Sequence, residues 1–132
     1  MGEKKVICDT DVMIDYWDDR KARHSNTKSI LENKIGIDNI VLSAITKMEL
    51  MQGALNKNDM EKINKKLSRL TTILIDNEIT LKAFDLLQKY YLSHSLTLAD
   101  CFIASTSEVT GLELFTYNTK DYKFIPQLVL FK

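Results

Sequence analysis

One stretch constrains the fold more than any other. Val6-Ile7-Cys8 runs without a break into Asp9, and the residues that follow change period. A short apolar run after the charged Glu3-Lys4-Lys5 suits a buried strand better than a helix. Beyond Asp9, Val12, Met13, Tyr16 and Trp17 recur at helical spacing, with Thr10 or Asp11 placed to cap. The stretch reads as strand, tight turn and helix, with Asp9 on the last strand residue. In an open parallel sheet that carboxyl edge is where ligands are held. A carboxylate beside a dry core is costly unless it is paired or on a metal, so Asp9 is the first candidate for chemistry.

The same alternation runs down the chain. Asp18 to His24 is a polar loop, and Ser25 or Asn26 caps a short helix carrying Ile30 and Leu31 that Gly36 ends. Ile37 to Leu42 is a second strand. Ser43 caps a helix through Leu55 with Ile45, Met48 and Leu55 inward. Asn58-Asp59-Met60-Glu61 has the form of a capping box. Its helix puts Met60, Ile63, Leu67 and Leu70 on one face, and Lys62, Lys65, Lys66 and Arg69 largely off it. Ile73 to Ile75 is a third strand, and Asp76 or Asn77 caps a long helix. Thr97 caps a helix from Leu98 to about Val109, which Gly111 stops. Leu112 to Thr116 is a fourth strand. A polar turn from Tyr117 to Tyr122 leads past Pro126 to a last strand, Leu128 to Phe131. Strands separated by helices imply right-handed crossovers and an α/β fold around a mostly parallel, five-stranded sheet flanked by helices.

The chain has 132 residues, enough for one domain, taken as 1–132, with a sizeable core. Eighteen basic residues balance eighteen acidic ones, which excludes a global field drawing the protein to nucleic acid or membrane. Nucleic-acid contact must therefore use local patches. Cys8 and Cys101, without metal-site spacing, read as buried reduced thiols rather than a disulfide framework. With no signal peptide, no myristoylation site at Gly2 and no membrane-length apolar run, the expected location is the cytoplasm.

Three further groups of polar side chains join Asp9 at the expected sheet edge. Glu49 lies on a helix that begins right after a strand, although an exposed helix residue would look the same. Asp100 stands three residues after Thr97, so it completes a capping box. It also lies in the first turn of its helix, where the dipole keeps a carboxylate ionised. Thr116, Asn118 and Asp121 cluster just past the fourth strand, and turn chemistry accounts for the last two equally well. Asp11 reads as a capping residue and Asp15 as solvent-facing. Several carboxylates a few ångströms apart need a counter-charge. An oxygen-only set calls for Mg²⁺ or Mn²⁺ rather than zinc, with His24 and His94 read as surface residues. Such a cation suits hydrolytic phosphodiester cleavage.

These residues fall in segments that resemble a known family. Val6-Ile7-Cys8-Asp9-Thr10-Asp11-Val12 resembles the opening motif of PIN-domain nucleases, and Ser43 to Gly53, with Glu49, their second. Leu96 to Ala104, with Asp100, resembles the third, and Leu114 to Tyr122 the fourth, followed by Ile125-Pro126 and a final strand. The resemblance covers almost the whole chain in order, and implies a PIN-like three-layer sandwich. Length and the lack of appended domains resemble the VapC-type toxins of toxin–antitoxin pairs. That likeness implies a Mg²⁺-dependent endoribonuclease that inhibits translation, is usually a homodimer, and is silenced by an antitoxin. Carried over by position, Asp9, Glu49 and Asp100 are the metal-binding, catalytic acids. The fourth acid position holds Asn118, with Asp121 the nearest carboxylate, and one of the two is expected to contribute.

Thr10, Thr116 and the Lys62, Lys65, Lys66, Arg69 face are candidate RNA contacts, the basic face being a solvated surface otherwise. Ile45, Leu50, Met51 and Leu55 serve the core, or else contacts with an antitoxin or a second copy. Two rivals remain at this level. Asp9-Thr10-Asp11 fits the D-x-D start of haloacid-dehalogenase-type phosphatases, with Asp9 as nucleophile and Asp11 as acid. Asn118 would suit a degenerate PIN domain used as a binding module.

Overall fold

The computed structural model describes residues 4–132. The apolar run forms strand β1 (Val6–Cys8), entirely buried. It lies between β2 (Ile40–Ser43) and β4 (Glu113–Phe115), and β3 (Thr71–Ile73) pairs on the far side of β2. All three pairings are parallel. Period-two alternation sends the side chains of β1 to opposite faces. Val6 and Cys8 join one buried cluster and Ile7 the other. Ile7 stands in register with Val41 and Leu114, and all three are fully buried. Such a row contributes about 2 kcal/mol per side chain before entropy is charged against it.

Helices cover both faces, as crossovers require. On the Val6 face lie α1 (Thr10–Trp17), a wider helical turn over Ile30–Ile35, α3 (Ala44–Met51) and α4 (Lys57–Leu67), with α2 (His24–Ser29) packed against α1. Val12, Met13, Leu31, Ile35, Leu50 and Leu67 form the core there. On the Ile7 face lie α5 (Asn77–His94) and α6 (Leu98–Thr110), packed through Ala83, Leu86, Ile103 and Ala104. The chain leaves β1 toward β2 and later returns on its other side as β4, so the strand order reverses at β1. In open α/β sheets the crevice at that reversal, outside the carboxyl ends of the strands, is the usual ligand site.

Among the described residues the sheet has four strands, not five. Residues 128–131 make one isolated parallel bridge, Leu114 to Leu130, and meet β4 through hydrogen bonds to the N–H and carbonyl of Leu114. Phe131 instead packs on Phe115, ring centroids 5.0 Å apart, and aromatic packing replaces a ladder. Other boundaries shift for local reasons. Ile37–Asn39 is a single tight helical turn, braced by the Asn39 amide donating to the Ile35 carbonyl, so β2 starts at Ile40. Asn56, not Asn58, caps α4, and the helix before it stops at Met51 rather than Leu55. The third strand begins at Thr71 because pairing with Val41 to Ser43 fixes its register, which leaves Leu74 outside. The caps at Ser43, Asp76 and Thr97 form as expected, each accepting from a backbone N–H in the first turn.

Gly111 ends α6 in the left-handed conformation, φ 76°, its N–H donating to the Ser107 carbonyl at 2.9 Å. A Cβ added there meets nothing within 4 Å. Gly111→Ala should therefore cost only the conformational term, about 1 kcal/mol. The measurement is a lowered urea midpoint with an unchanged slope. An unchanged midpoint would mean that the helix end relaxes out of the left-handed geometry.

Candidate active site

Asp9 caps α1: its Oδ1 accepts from the Thr10 N–H at 2.8 Å, and its backbone N–H donates to the Phe115 carbonyl of β4. Neither Thr10 nor Asp11 is the cap. The other Asp9 oxygen, Oδ2, accepts from the Thr116 hydroxyl at 2.8 Å, so the residues just past β1 and β4 meet in the crevice, Asp9 being one beyond the last strand residue. Tyr122, 1% exposed, places its hydroxyl 3.4 Å from Asp9 Oδ2 and 3.0 Å from Asp100 Oδ1. One phenol thus bridges two carboxylates that are 91 positions apart in the sequence. Asp100 is presented by the first turn of α6, whose cap Thr97 accepts from the Asp100 N–H.

Glu49 joins through Thr10. The Thr10 hydroxyl donates to Glu49 Oε1 at 2.6 Å and lies 3.2 Å from the Thr46 hydroxyl, one turn earlier on α3. Asp9, Glu49 and Asp100 therefore belong to one hydrogen-bonded network built from β1, α1, α3, α6 and the segment after β4. Asn118 and Asp121 stand at its rim. The Asn118 N–H donates to the Thr116 hydroxyl and its carbonyl accepts from the Asp121 N–H. Among the described residues, neither side chain is hydrogen-bonded to the acids. Lys62, Lys65, Lys66 and Arg69 lie away from the network, on α4 and just past it. They line a groove of about 230 Å³, with the Lys66 ammonium 5.1 Å from the Trp17 ring centroid.

Three residues of this region are not evident in the sequence. Tyr122 read as part of a polar turn, and only its aromatic character could have hinted at burial. Asp15, expected to face solvent, is 5% exposed and paired with Arg23, Nε to Oδ2 at 2.6 Å. Asp11 turns toward β4, where its Oδ2 accepts from the Tyr117 N–H at 3.1 Å. Its Oδ1 is buried without a hydrogen-bond partner. His24 is only half-buried, its ring nitrogen 3.0 Å from the Asp15 carbonyl, and His94 is exposed and stacked on Phe124.

Burial, then the charge on Asp11, pushes the Asp9 carboxyl up to about 6, against the opposing hydrogen bonds from Thr116 and Thr10. Asp11 is raised too, chiefly by burial. Burial and the neighbouring carboxylates raise the Tyr122 phenol, which stays a donor. No three of the described His, Cys, Asp and Glu residues form a ready-made metal cage. Mg²⁺ needs none, since it keeps several waters and is held by one or two carboxylates. Two acids joined by a hydroxyl, beside a buried and unpartnered carboxylate oxygen, fit such an ion.

An acid whose pKa is raised on folding binds more protons folded than unfolded, so the protein loses stability as pH climbs from about 4 through about 6. Asp9→Asn should therefore stabilise the metal-free protein at neutral pH, by up to about 3 kcal/mol. The gain should vanish below about pH 4, and thermal unfolding at the two pH values measures it. Equal melting of variant and wild type at neutral pH would show that Asp9 bears no burial penalty.

The family model described as PIN domain matches residues 6–125. Among solved structures, a toxin–antitoxin complex from Klebsiella pneumoniae aligns with a TM-score of 0.75 and 30% identity, over 95% of this chain and 96% of that one. VapBC2 from Rickettsia felis, bound to a promoter DNA fragment, aligns at 0.72 and 24% identity over 96% of each chain. VapC20 from Mycobacterium tuberculosis, described as a Sarcin-Ricin loop cleaving toxin, aligns at 0.72 and 11% identity over 92% of this chain and 95% of that one. A search of curated protein sequences gave no match. With the family match running from the first residue of β1 to Ile125, the chain belongs to the PIN-domain family.

Proposed function

We propose that this protein is a VapC-type toxin: a Mg²⁺-dependent endoribonuclease that stops translation by cutting RNA and is silenced by an antitoxin. The observation that carries the reading is the Asp9–Tyr122–Asp100 bridge, linked through Thr10 to Glu49. The toxin–antitoxin complexes among the similar structures support the partner, and the RNA-cleaving toxin among them supports the substrate class. Membership of a nuclease family sets the phosphatase alternative aside, and Asp11, its required acid, is engaged by the Tyr117 N–H instead.

Asp9 and Asp100 would hold Mg²⁺, or Mn²⁺ in its place. When bound, such an ion neutralises phosphate charge and makes water a better nucleophile near neutral pH. The residues do the rest. Thr10 fixes one oxygen of Glu49, leaving Oε2 to accept the proton of the attacking water. The water oxygen bonds to phosphorus, the bond from phosphorus to the 3′ oxygen breaks, and that oxygen takes a proton from solvent. The products carry 5′-phosphate and 3′-hydroxyl ends. Thr116 and Tyr122 keep Asp9 and Asp100 in place while charge accumulates. Asn118 and Asp121 serve at the rim, and Lys62, Lys65, Lys66 and Arg69 extend the RNA track.

Beside Glu49 a cleft of about 620 Å³, lined by Ile45, Met48, Met51, Met60, Leu98 and Phe102, offers an apolar surface that suits a homodimer partner or the antitoxin. Leu50 is part of the core instead, and Leu55 is 90% exposed beyond the helix.

Purified protein should cut total RNA in Mg²⁺ and stop in EDTA. Asp100→Asn should abolish cutting, a loss of at least about a hundredfold, while circular dichroism stays that of wild type. Undiminished turnover by the folded variant would overturn the assignment.

A further inference from the structure

We infer that Arg23 is a phosphate clamp, a side chain held ready to grip an RNA phosphate flanking the one that is cut. The inference rests on the nuclease reading and adds a substrate contact that the acids cannot supply. The crevice collects Asp9, Asp11, Glu49 and Asp100, and an RNA strand approaching it meets charge of its own sign. Arg23 is the cation whose field reaches Asp11.

Its surroundings fix the guanidinium without consuming it. The Nε–H donates to Asp15 Oδ2 at 2.6 Å, and Asp15 is nearly buried while the Arg23 side chain is about half exposed (52%). The guanidinium carbon lies 4.0 Å from the Tyr117 ring centroid. Tyr117 is itself held at three points. Its hydroxyl is 2.5 Å from the Thr27 hydroxyl, its backbone N–H binds Asp11, and its edge packs on Phe115. The Arg23 carbonyl accepts from the Thr27 N–H, anchoring the backbone at the start of α2. Among the described residues, the two terminal amino groups of Arg23 make no hydrogen bond. They form the fork that suits two phosphate oxygens at once, with its orientation settled before RNA arrives.

Tyr117 directly follows Thr116, which touches Asp9, so the fork stands beside the cutting centre rather than across the molecule. A surface ion pair needs none of this bracing. If Arg23 served only to neutralise Asp15, a flexible lysine would do as well.

The test is binding of a short fluorescent single-stranded RNA, followed by anisotropy in EDTA, with Asp100→Asn as the non-cutting background. Adding Arg23→Gln should weaken binding about tenfold and lower the slope of log affinity against log salt by about 0.7, the value for one phosphate contact. Arg23→Lys should recover the slope but not the affinity, since an ammonium lacks the fork. Arg23→Gln leaves Asp15 buried and unpaired, so the pair Asp15→Asn with Arg23→Gln is measured too. It should melt like the background protein and bind as weakly as Arg23→Gln. Unchanged affinity and slope in the double variant overturn the clamp while wild-type cutting in Mg²⁺ keeps the nuclease reading. Failure of wild type to cut RNA overturns both.

Discussion

Carboxylates do not gather at a buried edge without something to hold them there. Here the holding is done by neutral hydroxyls. Thr116 and Tyr122 reach Asp9, Tyr122 also reaches Asp100, and Thr10 reaches Glu49. Each gives the acids a hydrogen bond without cancelling their charge. A lysine or arginine in the same place would stabilise the apo protein more and leave less for a cation to gain. The hydroxyls define where the acids sit and leave their mutual repulsion uncancelled, an arrangement that fits a positive ion.

The fold supplies this arrangement through the reversal of strand order at β1. Asp9 and Thr116 directly follow the paired strand ends Cys8 and Phe115, so backbone pairing alone brings them together. Glu49 and Asp100 arrive on two different helices, α3 seated through Leu50 in one core cluster and α6 through Ile103 in the other. Each of those helices has a side-chain cap, Ser43 for α3 and Thr97 for α6, that sets where its first turn begins. The acids are therefore positioned by a strand end and by capped helices rather than by loops, which is what a site with demanding geometry requires.

Local chemistry explains what could be seen in the sequence. Asp9 was visible because an apolar run ended in a charge, and Thr97, Asp76 and Gly111 because caps act over one turn. The layers were legible from alternating strands and helices, but the fifth strand was not excluded, because pairing depends on contacts made only after folding. Asp15 and Arg23 escaped for the same reason. The buried aspartate lies on a helix face that sequence periodicity left ambiguous, and its partner sat in a stretch that looked like plain polar loop. Tyr122 is the sharpest case, a turn residue whose hydroxyl matters only once two distant acids flank it. The third strand slipped toward Thr71 because register with Val41, not hydrophobicity, decided it.

The link between α5 and α6 illustrates how little slack the architecture leaves. It consists of Ser95 in the left-handed region at φ 55°, the buried Leu96 and the cap Thr97. Leu96 is sunk in the core, so the chain cannot slide there. One extra residue between Thr97 and Asp100 would turn every later side chain by roughly 100° about the axis of α6. That would carry the carboxylate off the crevice and lift Ile103 and Ala104 out of the core. Length variation is better borne by the exposed loop between α3 and α4, residues 52–56, while this short joint acts as a fixed spacer.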